Sequence, residues 1–339
     1  MAWRLWRIKG AVLLTLRDRL GMKNGNNGKP VRVGVVGVGY VGHHHARIYS
    51  ELPGVELVGV VDIDEHRLQE VGLRHRIRLC RDYRELLERV DAVSIAVPTL
   101  LHYPIAKEFL KRGVDVLVEK PIAQLPAQAD ELVEIARLDD RIFQVGHIER
   151  FNGAVKALEA VVRSPGFIEC HRLGPFAHRN TDVDVVLDLM IHDIDIVLNL
   201  VKSPVVAVTT VGVPVISDQV DIANARLEFE SGCVANLTAS RVSIERVRRI
   251  RIFQRDTVIS LDYTQQEITV YHRIPGASEA ADETTPAIVK EEIPIDKAEP
   301  LRVELESFIE CVRARKRPLV SGEEGRDALK VASQIVERL

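Results

Sequence analysis

The feature that most constrains this sequence is a run of three glycines, Gly37-Val-Gly39-Tyr-Val-Gly42, placed directly after the apolar stretch Val31–Val36. A Val-rich run without polar alternation reads as a parallel strand covered on both faces, and the segment from about His43 onward reads as a helix. Few folds admit a strand that passes through such a loop into a helix. The first glycine makes the tight turn, the second leaves the backbone bare for a pyrophosphate, and the third lets helix and strand pack closely. Tyr40 and Val41 complete the loop, and the helix N-terminus behind them faces the phosphates. Roughly twenty residues further on, the usual distance for such a group, Asp62 closes a second Val-rich run, Val55–Val61. A carboxylate there accepts hydrogen bonds from the adenosine ribose hydroxyls. With Asp64 close behind, it favours NAD over NADP, although Arg67 leaves some room for the 2′-phosphate.

The same alternation continues. Further strands are predicted at Ala92–Val97, Val114–Val118 and Ile142–Val145, with a shorter one near Ile77–Leu79. Helical periodicity lies between them at Tyr83–Arg89, Tyr103–Lys111 and, behind Pro126, Gln128–Arg137. Six strands with alternating helices make a doubly wound Rossmann sheet. After residue 150 the pattern changes. Strands resume at Ile168–Leu173 and Val205–Val213, then form hairpins at Ala225–Arg241 and Arg248–Leu261, with Ser231-Gly232 and Arg255-Asp256 at the turns. Gly276–Lys290 is polar and reads as a mobile loop, and Leu301–Arg313 and Glu324–Leu339 are helical. The fold class is therefore α/β: an N-terminal doubly wound parallel sheet at 30–150, then an α+β domain at 151–339 with a large open, mostly antiparallel sheet.

In open parallel sheets the ligand lies beyond the carboxyl ends of the strands. Two stretches there stand out, Pro98-Thr99-Leu-Leu-His102 and Glu119-Lys120-Pro121. Pro98, Thr99, His102 and Glu119 are candidates for the cofactor cleft. A residue before proline is pushed toward extended backbone, which projects Lys120 over the nicotinamide end of that cleft. A second candidate group sits on the segment Asp184–Asn199, read as one helix, apolar but for a narrow line at Asp188, His192, Asp195 and Asn199. Asp188 and His192, four apart, are spaced to meet as a carboxylate–imidazole pair in which the acid orients the ring. Such a pair can take a hydroxyl proton while hydride leaves the same carbon. His43, His44 and His45 point in different directions on a helix and do not converge on one metal ion.

Taken together, the Gly37–Gly42 loop, Asp62, Glu119-Lys120-Pro121 and Asp188-x-x-x-His192 resemble the Gfo/Idh/MocA oxidoreductase family over residues 31–339. The resemblance implies that Lys120, Asp188 and His192 are the catalytic set, that hydride passes between a sugar or cyclitol carbon and NAD(P), and that the chain forms homodimers or homotetramers. One departure is that Asp182-Val-Asp184 stands where many members carry a glycine-rich stretch. The stretches Gly146–Asn152, His171–Phe176 and Asp182–Asp195 are similar to members acting on UDP-N-acetylhexosamines. That similarity implies a nucleotide-sugar substrate oxidised at its 3-hydroxyl, with the ketone passed to a pathway aminotransferase that makes the 2,3-diamino sugar of some lipid A molecules. Arg150, Arg172 and Arg179, with Asn152, are then the candidates for holding substrate, because guanidinium forks match phosphate oxygens. A dehydrogenase for a nucleotide-sugar uronate or a cyclitol, and a non-catalytic NAD-binding regulator, remain alternatives.

Composition narrows the setting. At 339 residues the chain has room for two cores. Its net charge of −3 is spread along the sequence, without the basic stripe that nucleic-acid binding needs. Cys80, Cys170, Cys233 and Cys311 form no CxxC pair, which points to neither zinc nor disulfides and fits a reducing cytoplasm. Only residues 1–29 look foreign to a globular domain, with Arg4, Arg7, Lys9, Arg17, Arg19, Lys23 and Lys29 against Asp18. Their apolar run Ala11–Leu14 is too short to span a bilayer, and they read as a disordered extension, with a membrane-surface helix as the alternative.

Overall fold

The computed structural model describes residues 28–75, 77–176, 183–274 and 287–339. The expected N-terminal extension therefore lies outside the described residues but for its last two, and so do Arg179, Asn180 and Asp182. Strands β1 (Val31–Val36), β2 (Val55–Val61), β3 (Arg78–Cys80), β4 (Ala92–Ile95), β5 (Asp115–Glu119) and β6 (Phe143–Gly146) form a parallel sheet in the order β3-β2-β1-β4-β5-β6. The order reverses between β1 and β4, which is where a crevice opens beyond the strand ends. Helices α1 (Gly42–Glu51), α2 (Glu65–His75), α3 (His102–Lys111) and α4 (Pro126–Leu138) connect the strands. The stretch predicted as a helix at Tyr83–Arg89 holds only a 3₁₀ turn over Tyr83–Leu86. Asp82 accepts from the Arg84 N–H at 3.0 Å there, and a turn that tight does not propagate.

Beyond α5 (Gly153–Val161) lies an eight-stranded sheet, ordered β14-β13-β12-β11-β7-β10-β9-β8 among the described residues. Its strands are β7 (Pro165–Leu173), β8 (Val205–Val213), β9 (Ile222–Phe229), β10 (Val234–Ser240), β11 (Val247–Gln254), β12 (Thr257–Asp262), β13 (Glu267–Ile274) and β14 (Ala287–Ile293). All pairs are antiparallel except β7 with β10. The end of the predicted loop at Gly276–Lys290 is thus strand: Ala287 to Lys290 pair with β13. Its charged residues hid a two-stranded edge whose backbone bonds do not depend on apolar side chains. Helix α6 (Ile191–Val201) packs on the inner face of this sheet, preceded by a π-helical turn at Val186–Met190.

The last two helices, α7 (Pro300–Ala314) and α8 (Gly322–Val336), tie the two sheets together. Leu305, Phe308 and Ile309 of α7 share one core with Val33 and Val35 of β1 and Ile48 and Tyr49 of α1. Ala328, Ala332 and Ile335 of α8 share the other with Ile191 and Ile194. Ser321 caps α8, and its N–H is held at 2.8 Å by the Glu324 carboxylate. Val145 N donates to Val320 O at 3.0 Å, which sets the start of α8 against the end of β6. No helix among the described residues is long and apolar enough to cross a membrane. Because Phe308 is fully buried where α7 meets the Rossmann core, Phe308→Ala should cost about 3–5 kcal/mol in urea unfolding. A loss under about 1 kcal/mol would show that α7 is not part of that core.

Candidate active site

The glycine loop is held by close packing at two positions and left open at the third. Gly37 has φ 89°, and a Cβ there would lie 2.5 Å from Ala96 O; a Cβ on Gly42 would lie 1.8 Å from Gly37 O. At Gly39 the nearest atom to such a Cβ is an Arg67 guanidinium nitrogen at 3.6 Å, so packing does not demand glycine there. What the bare backbone at Gly39 leaves is room for a phosphate beside the N-terminus of α1. Asp62 accepts from Val38 N at 2.8 Å and Asp64 N at 2.9 Å, which fixes the carboxylate at the end of β2. Gly37, Gly39, Tyr40, Val41 and Asp62 line a cavity of about 790 Å³, together with Pro98, Thr99, Glu119, Lys120 and Asp188. These residues fit a dinucleotide, whose phosphates Gly39 would admit and whose adenosine ribose Asp62 would hold. His102 has a different place. It is buried, with Nδ1 2.8 Å from Pro121 O and Nε2 2.8 Å from Val97 O, and so clamps the loops after β4 and β5 behind the cavity wall.

Lys120 extends from the end of β5 to the π-helical turn. Its Nζ donates to Asp188 O at 2.5 Å and lies 3.5 Å from Asp188 Oδ1. Burial pushes the Lys120 pKa down, aided by the charge of Arg172 and opposed by Asp188 and Glu119. The expected Asp188–His192 pair is replaced by this Asp188–Lys120 contact. His192 Nδ1 is buried without a hydrogen-bond partner among the described residues. Burial, then the charges of Lys120 and Arg172, hold the His192 pKa well below 6.5, so the ring is neutral at physiological pH. Asp184 is explained by the same turn: its Oδ1 accepts from Val186 N at 2.8 Å and Leu187 N at 3.0 Å.

Of the three adjacent histidines, His43 and His44 lie ring against ring, with centroids 3.8 Å apart. His43 Nδ1 contacts Gly39 O at 2.8 Å, whereas His45 turns inward to Glu119, 3.2 Å away. Burial raises the Glu119 pKa, but His45, Lys120 and His102 outweigh it and hold the carboxylate below its usual range. Of the proposed substrate arginines, Arg150 and Arg172 are turned inward. Arg172 takes both oxygens of Asp193 at 2.9 Å and Glu149 at 2.8 Å, and Arg150 lies 3.4 Å from Asp195. Asn152 donates to Tyr263 O and caps α5 through Ala154 N at 3.0 Å. Arg150 and Arg172 are almost wholly buried, so their forks complete ion pairs within the protein rather than face a ligand.

Two family models match the chain: the description "Oxidoreductase family, NAD-binding Rossmann fold" over residues 31–147, and "GFO/IDH/MocA C-terminal domain" over 150–259. The chain belongs to the Gfo/Idh/MocA oxidoreductase family. Among the relatives of this Gfo/Idh/MocA protein, UDP-N-acetylglucosamine 3-dehydrogenase of Acidithiobacillus ferrooxidans is 37% identical over 306 residues, 90% of this chain and 96% of that one. A solved structure of that enzyme superposes with a TM-score of 0.84 at 35% identity, covering 91% of this chain and 97% of its own. Inositol 2-dehydrogenase of Rubrobacter xylanophilus is 36% identical over 176 residues, 49% of this chain and 50% of the relative.

Two residues of this oxidoreductase went unnoticed as site candidates in its sequence. His147, at the end of β6, is buried with both ring nitrogens unpartnered among the described residues, its ring 6.2 Å from that of His192 and edge-on to it. Burial, followed by the charges of Lys120 and Arg150, pushes its pKa down to about 3. Its signal was positional, a polar side chain just past a parallel strand. Arg248, on β11, contributes to the positive field at His192. In the loop, Gly39→Ala should melt within about 2 °C of the wild type while weakening NADH binding about 10-fold. Gly42→Ala should lose both. Fluorescence titration with NADH beside thermal melting separates them, and an unchanged NADH affinity in Gly39→Ala would rule out the phosphate position.

Proposed function

We propose that this protein uses NAD to oxidise the 3-hydroxyl of UDP-N-acetylglucosamine, forming the 3-keto sugar that a pathway aminotransferase then consumes on the way to a 2,3-diamino sugar of lipid A. The observation that carries this reading is likeness to the Acidithiobacillus enzyme along nine-tenths of the chain, with Lys120 and Asp188 lining the cavity and the Lys120 charge reaching His192. His192 is kept neutral by burial and by the positive charges around it, so a ring nitrogen stands ready to accept the hydroxyl proton. Lys120, steered by Asp188, donates a hydrogen bond to the same oxygen as negative charge builds on it. When bound, NAD would supply the hydride acceptor for the carbinol carbon, which becomes the ketone.

Asp62 supports NAD over NADP, because a 2′-phosphate at the end of β2 would meet its carboxylate. Arg67 lies on the same stretch of cavity but is paired with Asp64 at 3.3 Å. Four free, buried cysteines support a reducing cytoplasmic setting. Exposed Val211 and Val213 on one face of edge strand β8 support a homodimer or homotetramer formed through the open sheet.

The deciding assay is NADH absorbance with UDP-N-acetylglucosamine, with an aminotransferase and glutamate present to draw off the ketone. Sugar-dependent reduction is expected. No reduction with this sugar, together with turnover of a uronate or an inositol, would overturn the substrate. His192→Ala and Lys120→Ala should each lower kcat about 10²–10⁴-fold with NADH affinity retained. The pH profile carries a further expectation. A base works only when unprotonated, and the pKa of His192 is depressed, so kcat/KM should hold through pH 6.5 and fall only in more acidic buffer. An acid limb at pH 6.5 or above would contradict a buried His192 base.

A further inference from the structure

Strand β11 pairs with β7 so that Arg248 lies directly opposite Arg172. Like charges on facing positions of neighbouring strands repel, so a sheet keeps such a pair only where negative charge is supplied. Here the supply is unequal. Arg172 has Asp193 on two donors and Glu149 on a third, all within 2.9 Å. The Arg248 guanidinium makes no hydrogen bond among the described residues, and its one ion-pair contact there is Glu149 Oε1, 3.9 Å away and already held by Arg172. Burial and the charge of Arg172 press the Arg248 pKa below the usual guanidinium value, with Arg246 adding to the repulsion.

Strand alternation puts Arg248 on the side of the active site. It shares a face with buried Ile250 and Ile252, whereas Arg249 and Arg251 point the other way and are exposed. The Arg248 side chain is still 41% accessible, and its charge reaches His192. An under-neutralised guanidinium beside the proposed hydroxyl base is a ready partner for a substrate anion. A diphosphate offers paired oxygens that match its fork.

We propose that Arg248 binds the diphosphate of the nucleotide-sugar substrate, while Arg172, locked by Asp193 and Glu149, positions Glu149 and does not touch the ligand. This inference rests on the nucleotide-sugar reading above and identifies the group that would distinguish such a substrate from an uncharged cyclitol.

The test compares wild type with Arg248→Gln and Arg248→Lys, using UDP as the calorimetric probe on NADH-saturated enzyme and UDP-N-acetylglucosamine in steady-state kinetics. For Arg248→Gln, the Kd for UDP and the KM for the sugar should both rise about 10-fold or more, with NADH affinity nearly unchanged. Arg248→Lys should recover part of the loss, since it keeps the charge without the fork, and it serves as the reporter if the glutamine variant does not fold. UDP affinity and KM within about twofold of wild type in both variants would overturn the proposal. Wild type that binds UDP but does not oxidise the sugar would sink the substrate reading while the UDP titration still decides Arg248. Wild type that binds no UDP would overturn both.

Discussion

The contact on which this structure turns is the one between Lys120 and Asp188. One partner stands at the carboxyl end of a strand in the parallel sheet, and the other stands on the π-helical turn leading into the helix of the second sheet. Burying an ammonium is costly unless oxygen acceptors surround it, and Lys120 finds a carbonyl and a carboxylate on the same residue. The two halves therefore meet where the chemistry is proposed.

Electrostatics around that contact run in one direction. Burial, then the charges of Lys120, Arg172 and Arg248, keeps His192 uncharged, and burial with the charges of Lys120 and Arg150 holds His147 beside it neutral. Carboxylates compensate from a second layer: Glu119 against His45 and Lys120, and Glu149 and Asp193 against Arg172. A neutral imidazole in a positive field is a weak base at rest, yet the same field stabilises an alkoxide forming from a bound hydroxyl. The C-terminal helices keep this layering rigid, because α7 is part of the core under β1 and α8 is part of the core under α6.

Much of the parallel half was legible in the chain. Val31–Val36 followed by Gly37, Gly39 and Gly42 specifies strand, turn and helix by local sterics alone, and the structure supplies the clashes that make Gly37 and Gly42 necessary. Other readings failed for identifiable reasons. The helix expected at Tyr83–Arg89 shortened to a 3₁₀ turn under an aspartate cap, and β14 was obscured by charged side chains on an exposed edge. Spacing four apart suggested that Asp188 would meet His192, but Asp188 contacts Lys120, which another strand brings to it.

What the sequence by itself determined, then, was the set of local devices: the glycine loop, the acid after β2, the lysine before proline, and a polar line on an apolar helix. Each depends on residues within a few positions of one another, where backbone geometry leaves little choice. Which arginine faces a ligand was decided only by the tertiary structure. Arg150 and Arg172 are spent on Asp195, Asp193 and Glu149, residues brought to them by other elements, while register across β7 and β11 leaves Arg248 with a shared and distant counter-charge. Charge neutralisation is a sum over neighbours in space, and those neighbours exist only once both sheets have formed.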